Sequence, residues 1–499
     1  MRSIFFLLFS LIVLNASTLH MALGANPSRI NPILATDSAS GEIAGWIFNG
    51  LFKYDKNGNI VGDLAKSWKF LTPTKLWIEL RKNVVWHDGK PFTAQDVLFT
   101  YQTITSPQVF TPYSSEFRYV EDVKIVDPYH VLVTYKKPYY KALQTWMIGM
   151  LPYHLLQQEK NLMTSRFNQH PIGTGPYRLE KFEHSGEIVL TANKDYFEHK
   201  PYIDTIYYHF VPDPSTQFLM LKSKKLDVGS LSPLQLERQI DRDFKQYYNI
   251  YEQPSHGYTY LGFNLKRKKF QDARVRKAIS LAIDRQELID ILFFSHGKVC
   301  TGPFMPGTFA FNARIKPPKV DLTLAKKLLK EAGYDENHPL TFEIATNSNN
   351  SIRLYAAQII QYQLAKIGVK VYIRAMEWQA FLNTVVIPRK FDTILLGWGL
   401  GLTPDAYSIW HSDSAKIGGF NLVSYKNPIV DALIKKAEST VDRAKLSQLY
   451  QKIFALIVQD NPYIFLYIPN SITAVNASIQ NVEPSIVGIM HNEIDWIKP

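Results

Sequence analysis

The chain carries a single cysteine, Cys300, among 499 residues. One thiol cannot close an internal disulfide, so the fold does not depend on oxidation. No cysteine stands near the N-terminus to receive a lipid. A nucleophilic role for Cys300 needs a positioned histidine, and no local pattern supplies one. Phosphate-binding loops are missing as well. "GWGLGL" at 397–402 is not G-x-G-x-x-G, and no lysine follows it as in a P-loop. Gly173, Thr174 and Gly175 lead through Pro176 into a strand-like run, not into a helix whose N-terminus would hold phosphate. There is no G-x-S-x-G elbow, no H-E-x-x-H and no cysteine–histidine cluster. Long apolar runs are also lacking. The one candidate, "IFFLLFSLIVL" at 4–14, is too short to span a bilayer comfortably.

That run has the layout of a secretory signal, with Arg2 before it and the small residues Ala16 and Ser17 after it. Cleavage after Ala16 is expected, giving a periplasmic mature chain that is not a lipoprotein. Acidic residues are few relative to basic ones, 44 against 56, for a net charge of +12. The densest basic run, "LKRKKF" at 265–270, is short. The reading is a solvated basic surface, with no nucleic acid as partner. What the chain has in quantity is aromatics, with 28 Tyr and 29 Phe. Such numbers suit a wide internal surface that must be apolar yet form hydrogen bonds.

Patterning points to mixed α/β grammar. "LHMAL" reads as a short strand broken by Gly24 and Pro27. Ile43, Trp46, Ile47 and Leu51 fall at helical spacing. "KLWIELRKNVVWHDGKPF" reads as strand, turn and strand around Asp88 and Gly89. Thr93 with Asp96 resembles a capping box opening a helix over "AQDVLFTYQTI". "EDVKIVDPYHVLVTYKKP" reads as two strands around Asp127 and Pro128. "YRLEKFE", "EIVLTANKDY" and "TIYYHFV" read as strands, and "ARVRKAISLAIDRQELIDILF" as one apolar helical repeat. "LYAAQIIQYQLAKIGVKVYIRAMEW" reads as helix, glycine, strand. No internal repeat and no long linker interrupts the chain.

The stretch "LLGWGLGLTPDAYSIWHS" at 395–412 holds the strongest site pattern. Trp398 offers a flat apolar wall or an ordinary core ring. Gly399 and Gly401 would let backbone groups approach a ligand. Asp405 either accepts from a ligand amine or caps a helix beginning near Ala406. His411 and Asp413 read as a solvated loop. His491, in "GIMHNEIDW", is the one histidine that stands out as a possible metal contact.

Four segments in order resemble one family. They are "LAKSWKF" with "LRKNVVWHDGKPFTAQDVLFTYQTI", "PIGTGPYRLEKF", "LGFNLKRKKFQDARVRKAISLAIDRQELI", and the Gly-Trp stretch with "GGFNLVSYKNPIVDALI". The chain resembles the extracytoplasmic solute-binding proteins of peptide and nickel ABC transporters, the dipeptide- and oligopeptide-binding group. The resemblance implies an α/β, two-lobed, type II periplasmic-binding-protein fold with an extra inserted domain. Lobe I would comprise 17–48, 169–261 and 470–499, with 49–168 inserted in it. Lobe II would be 262–469, and crossings near Tyr260 and Pro469 would form a hinge.

It further implies a monomeric, non-enzymatic importer component without cofactor, which closes on a peptide and docks on membrane permease subunits. Trp398 aligns with the family's ligand-packing tryptophan. The position three residues on, an ammonium-pairing aspartate in dipeptide and oligopeptide binders, is Gly401 here. Asp405 or Asp37 would have to substitute for it. The expected cleft is Thr36, Asp37, Ser38, Trp398, Gly399, Leu400, Gly401, Asp405, Asn421 and Tyr467. The alternatives are a nickel chelate contacted by His491 and, from another class, a secreted hydrolase.

Overall fold

Two apolar cores flank the principal sheet of the computed structural model, which describes residues 17–499 except 184, 185, 349, 417 and 418. The expected signal segment lies outside the described residues. The principal sheet has eight strands. Its path runs Val228–Leu231, Tyr463–Asn476, Gly257–Phe263, Thr393–Gly399, Thr341–Asn347 and Lys370–Met376, with Tyr248–Pro254 and Gly297–Val299 also paired to Tyr463–Asn476. Helices Pro428–Glu438 and Arg443–Asp460 supply one core. Helices Ala273–Ala282, Arg285–Phe293, Leu322–Glu331 and Ser351–Ala365 supply the other. Thr393–Gly399 lies between an antiparallel and a parallel neighbour and is apolar on both faces, as a central strand must be.

The other lobe is built on a four-stranded sheet in the order Thr18–Leu23, Thr205–Phe210, Glu187–Ala192, Tyr177–Phe182. Its core also takes in the antiparallel sheet of Ala65–Thr72, Lys75–Leu80, His130–Tyr135 and Val120–Asp127, together with helix Ala94–Ile104. That helix opens with the Thr93–Asp96 capping box. The chain is thus two-lobed and α/β.

Tyr463–Asn476 belongs to both lobes. Its first half pairs with Gly257–Phe263 and Gly297–Val299, and its second with Tyr248–Pro254 and Val228–Leu231. Only Ser255 and His256 separate the two strands that switch partners beside it.

The "PIGTGPY" segment is structural. A Cβ on Gly173 would lie 1.8 Å from the Ile47 carbonyl oxygen, so only glycine fits there. His87 is buried between Gly173 and Gly175. Its Nδ1 accepts from the Gly173 N–H at 3.2 Å and its Nε2 donates to the Gly175 carbonyl at 3.0 Å. Burial pushes the His87 pKa down to about 4, which keeps this ring neutral.

Candidate functional site

Thr393–Gly399 and Thr341–Asn347 run parallel, and the chain just past the carboxyl end of Thr393–Gly399 bonds Tyr54, Tyr140 and Lys141 of the other lobe; ligands of open α/β sheets bind outside such strand ends. Along Thr393–Gly399, Ile394 and Leu396 enter one core and Leu395 the other. Gly397 then falls on the Leu395 face. A Cβ there would lie 2.8 Å from Arg353 Nη2 and 3.2 Å from the Tyr258 carbonyl oxygen. Gly397 therefore makes room for a guanidinium. Cβ atoms on Gly399 or Gly401 would meet nothing within 4 Å, so these two glycines border open space.

Trp398 stands on the other face, half-buried. It stacks on Tyr260 at 6.2 Å and 11°, and Tyr260 stacks on Tyr463 at 3.8 Å and 9°. Phe420 meets Trp398 edge-on at 5.7 Å. This stack walls a cavity of about 240 Å³ lined by Phe304, Met305, Trp398, Gly401, Trp410 and Phe420 among others. Met305 also lines a neighbouring cavity of about 320 Å³ with His256, Lys298, Ile468 and Ser485. The second cavity touches both the strand crossings and the C-terminal segment.

Arg353 was not foreseen from the sequence. It sits in the first turn of Ser351–Ala365, where the helix dipole disfavours a cation. Its Nη1 donates to Asn347 Oδ1 at 3.1 Å. Among the described residues no carboxylate lies within 4 Å of it. Burial lowers its pKa, and the Tyr467 and Tyr260 phenols oppose that shift. An under-paired guanidinium at a strand end is suited to a ligand carboxylate. The signal that could have found it is an arginine at a position where helices prefer acids.

Asp405 is engaged across the cleft. Its Oδ2 lies 3.3 Å from Lys141 Nζ, whose other partner is Glu116 at 2.8 Å. Its Oδ1 accepts from the Tyr407 N–H at 2.9 Å and its Oδ2 from the Ser408 hydroxyl at 3.2 Å. Burial opposes ionisation, but the Lys141 and Arg118 charges hold the carboxyl below its ordinary pKa. Further bonds join the same two surfaces. The Tyr140 hydroxyl donates to the Pro404 carbonyl at 2.8 Å and lies 2.9 Å from the Tyr450 hydroxyl. The Tyr54 hydroxyl and Gln144 both reach Thr403 Oγ1, at 2.7 and 2.9 Å. Glu438 accepts from Arg118 and from Tyr119 at 2.9 Å each and lies 3.4 Å from Lys137. The lobes meet at the mouth of the cleft as well as at the crossings.

Trp398, Gly399, Leu400, Gly401 and Asp405 line one cavity. The other expected residues stand apart from it. Asp37 caps Ser38–Ile47, accepting from the Ser40 N–H at 2.8 Å and from the Ser28 hydroxyl at 2.6 Å, with Thr36 and Ser38 exposed beside it. Asn421 is fully buried and ties His411 to Tyr425. Tyr467 is buried in the core opposite Trp398 and packs on Phe293 at 4.8 Å. His491 is half-buried, and its Nδ1 is buried without a hydrogen-bond partner among the described residues. Burial raises nearby Glu493 to a pKa of about 7.

The chain is similar to known proteins over most of its length. The profile of the bacterial extracellular solute-binding proteins, family 5 Middle, matches residues 59–420. The oligopeptide-binding protein AppA of Bacillus subtilis is 32% identical over 491 residues, covering 94% of this chain and 89% of AppA. Its structure with a nonapeptide superposes with a TM-score of 0.83 over 97% of this chain and 99% of that one, at 30% identity. NikZ of Campylobacter jejuni, solved with Ni(L-His), superposes with a TM-score of 0.84 over 96% and 99%, also at 30% identity. DppA of Helicobacter pylori, in complex with the peptide STSA, reaches 0.79 over 96% and 97% at 26% identity.

Proposed function

This chain belongs to the family 5 bacterial extracellular solute-binding proteins, and on that premise we propose that it captures peptides between its lobes and delivers them to the membrane permease of an ABC importer. The observation that carries the reading is the strand end at 397–401. An aromatic wall at Trp398 lies on one face and an under-paired Arg353 on the other. The wall would take an apolar side chain and Arg353 the peptide carboxylate. Gly399, Leu400 and Gly401 border open space and would offer backbone N–H and C=O groups to an extended peptide. Asp405 acts here as a fixed part of the cleft mouth. No reacting group is needed: the ligand is bound more tightly by the closed form than by the open one, and that difference drives closure.

The lobes we propose are 17–48 with 169–261 and 470–499, carrying an insert at 49–168, and 262–469. Closure would turn on Ser255 and His256, a few residues before Tyr260, and on Pro469 and Asn470. The protein would act as a monomer without catalysis.

Native mass spectrometry of protein purified gently from the periplasm tests the reading. Adducts spread over peptide masses and lost on denaturation are expected. A single adduct of metal-chelate mass would overturn it. One observation supports that second reading: His491 Nδ1 has no hydrogen-bond partner among the described residues, although it is buried and the ring would have to turn to meet a nickel chelate. On the nickel reading, His491→Ala would abolish the adduct.

A further inference from the structure

The strand crossings carry a histidine of unusual geometry. His296 follows Arg285–Phe293 and precedes Gly297–Val299, which pairs with the first half of Tyr463–Asn476. Phe294 and Ser295 both take left-handed backbone, with φ of +50° and +68°, a strained placement for non-glycine residues. The loop they form points the His296 ring at the other lobe. There Nε2 lies 2.9 Å from Glu237 Oε1, on helix Pro233–Arg238, and Nδ1 lies 2.8 Å from Glu252 Oε1, on strand Tyr248–Pro254. Asn470, at the second crossing, donates to the same Glu252 oxygen, and its N–H donates to the His296 carbonyl. Arg238 lies over the Phe294 ring at 5.8 Å, and the Ser295 hydroxyl donates to Asp290. Lys298, two residues on, is exposed. The charged groups facing the ring are the two glutamates.

A neutral imidazole has one N–H, and an ionised carboxylate only accepts. With a carboxylate on each ring nitrogen, both nitrogens must donate. The arrangement therefore binds a proton. We propose that His296 is a proton-operated clamp across the hinge: its imidazolium holds the closed arrangement, and its deprotonation releases one lobe contact and favours opening. Burial opposes the charged ring, but the hydrogen bonds and charges of the two glutamates outweigh it and raise the His296 pKa in this conformation, so by linkage closure takes up a proton. The clamp rests on the hinge reading given above.

Two measurements on the full chain test it separately. The His296 Cε1–H NMR titration should give a pKa clearly above the ordinary value, and Glu237→Gln with Glu252→Gln should restore that value. Spin labels at Glu180→Cys and Lys326→Cys, one on each lobe, read closure by electron–electron distance. Cys300 is buried and should stay unlabelled. The closed-to-open ratio should fall at least about threefold between pH 6 and pH 9. His296→Gln should make it independent of pH, and His296→Arg should hold it at the low-pH value. An ordinary pKa overturns the clamp. A raised pKa with an unchanged distance distribution overturns its coupling to closure. A single distance at every pH, with a mixed peptide pool present as well, overturns the hinge reading and the clamp with it.

Discussion

Glu438 is the cross-cleft contact whose removal can be worked through most fully. It sits at the C-terminal end of helix Pro428–Glu438, where the helix dipole disfavours an acid by about 0.3–1 kcal/mol. Its side chain is only 5% exposed. What offsets that placement comes from the other lobe: Arg118 at 2.9 Å, Lys137 at 3.4 Å and the Tyr119 hydroxyl at 2.9 Å. Glu438→Gln keeps the shape and removes the charge. A hydrogen bond to a charged group contributes about 1.5–3 kcal/mol, and a neutral one about 0.5–1.5. Weakening two cationic contacts should cost the closed form roughly 2 kcal/mol, and relief of the helix dipole returns part of it. The net is about 1.5 kcal/mol, close to a tenfold fall in the closed-to-open ratio. The spin-label pair on the two lobes measures that ratio without any ligand. Calorimetric titration with a peptide recovered from the native protein should show affinity falling in step. An unchanged distance distribution, with affinity within twofold of wild type, would refute the idea that these bonds hold the cleft shut.

Gly397→Ala should displace the Arg353 guanidinium from the strand and weaken peptide binding more than it lowers stability, which calorimetry and thermal unfolding together resolve. Gly173→Ala meets backbone rather than a movable side chain and should cost at least about 3 kcal/mol, read by urea unfolding. His87 has its folded pKa depressed to about 4, so its contribution to stability is present above the unfolded value near 6.5 and is lost as pH falls from there toward 4. The loss should reach about 3 kcal/mol at most, and His87→Gln should flatten the slope of unfolding free energy between pH 7 and pH 4.5. Burial pushes the Cys300 thiol up to about 12, so an aromatic disulfide reagent at pH 8 should label it only in urea.

Local grammar carried much of the fold. The Thr93–Asp96 capping box and the strands on either side of Asp127 and Pro128 were legible because their signals sit within a few residues. Where the reading slipped, a local pattern had hidden a break. The apolar repeat at 273–293 is two helices, because Asp284 accepts from the N–H groups of Gln286 and Glu287 and restarts the chain. The second strand expected in "NVVWHDGKPF" is a single bridge, Val85 to Pro91, made by the Trp86 N–H to the Lys90 carbonyl and the Phe92 N–H to the Val84 carbonyl.

In the site, Trp398 and its glycines were legible from spacing. Asp405, read as either a ligand contact or a cap, accepts from the Tyr407 N–H just ahead of the helix whose N-cap is Ala406, and its partner Lys141 is 264 residues away and left no trace nearby. Tyr467 follows Phe465 by two and should share its face. A register shift between Thr259 and Tyr260 admits one extra residue and turns Tyr467 into the opposite core. Arg353 escaped because lacking a counter-ion is a property of the packed molecule.

The strand Tyr463–Asn476 has a consequence for the order of assembly. It is an interior member of the principal sheet, yet it comes within the last forty or so residues of the sequence. Until it arrives, Gly257–Phe263 is paired on one edge only, and Tyr248–Pro254 and Val228–Leu231 lack the strand that pairs with them. The tail then fastens to the first strand: Lys498 Nζ bonds the Thr18 carbonyl and Asp227, both at 2.7 Å, and Trp496 is fully buried. Neither lobe can complete itself from an N-terminal fragment. Pairings this distant in sequence form slowly. A chain that leaves the ribosome therefore remains unfinished almost to its end.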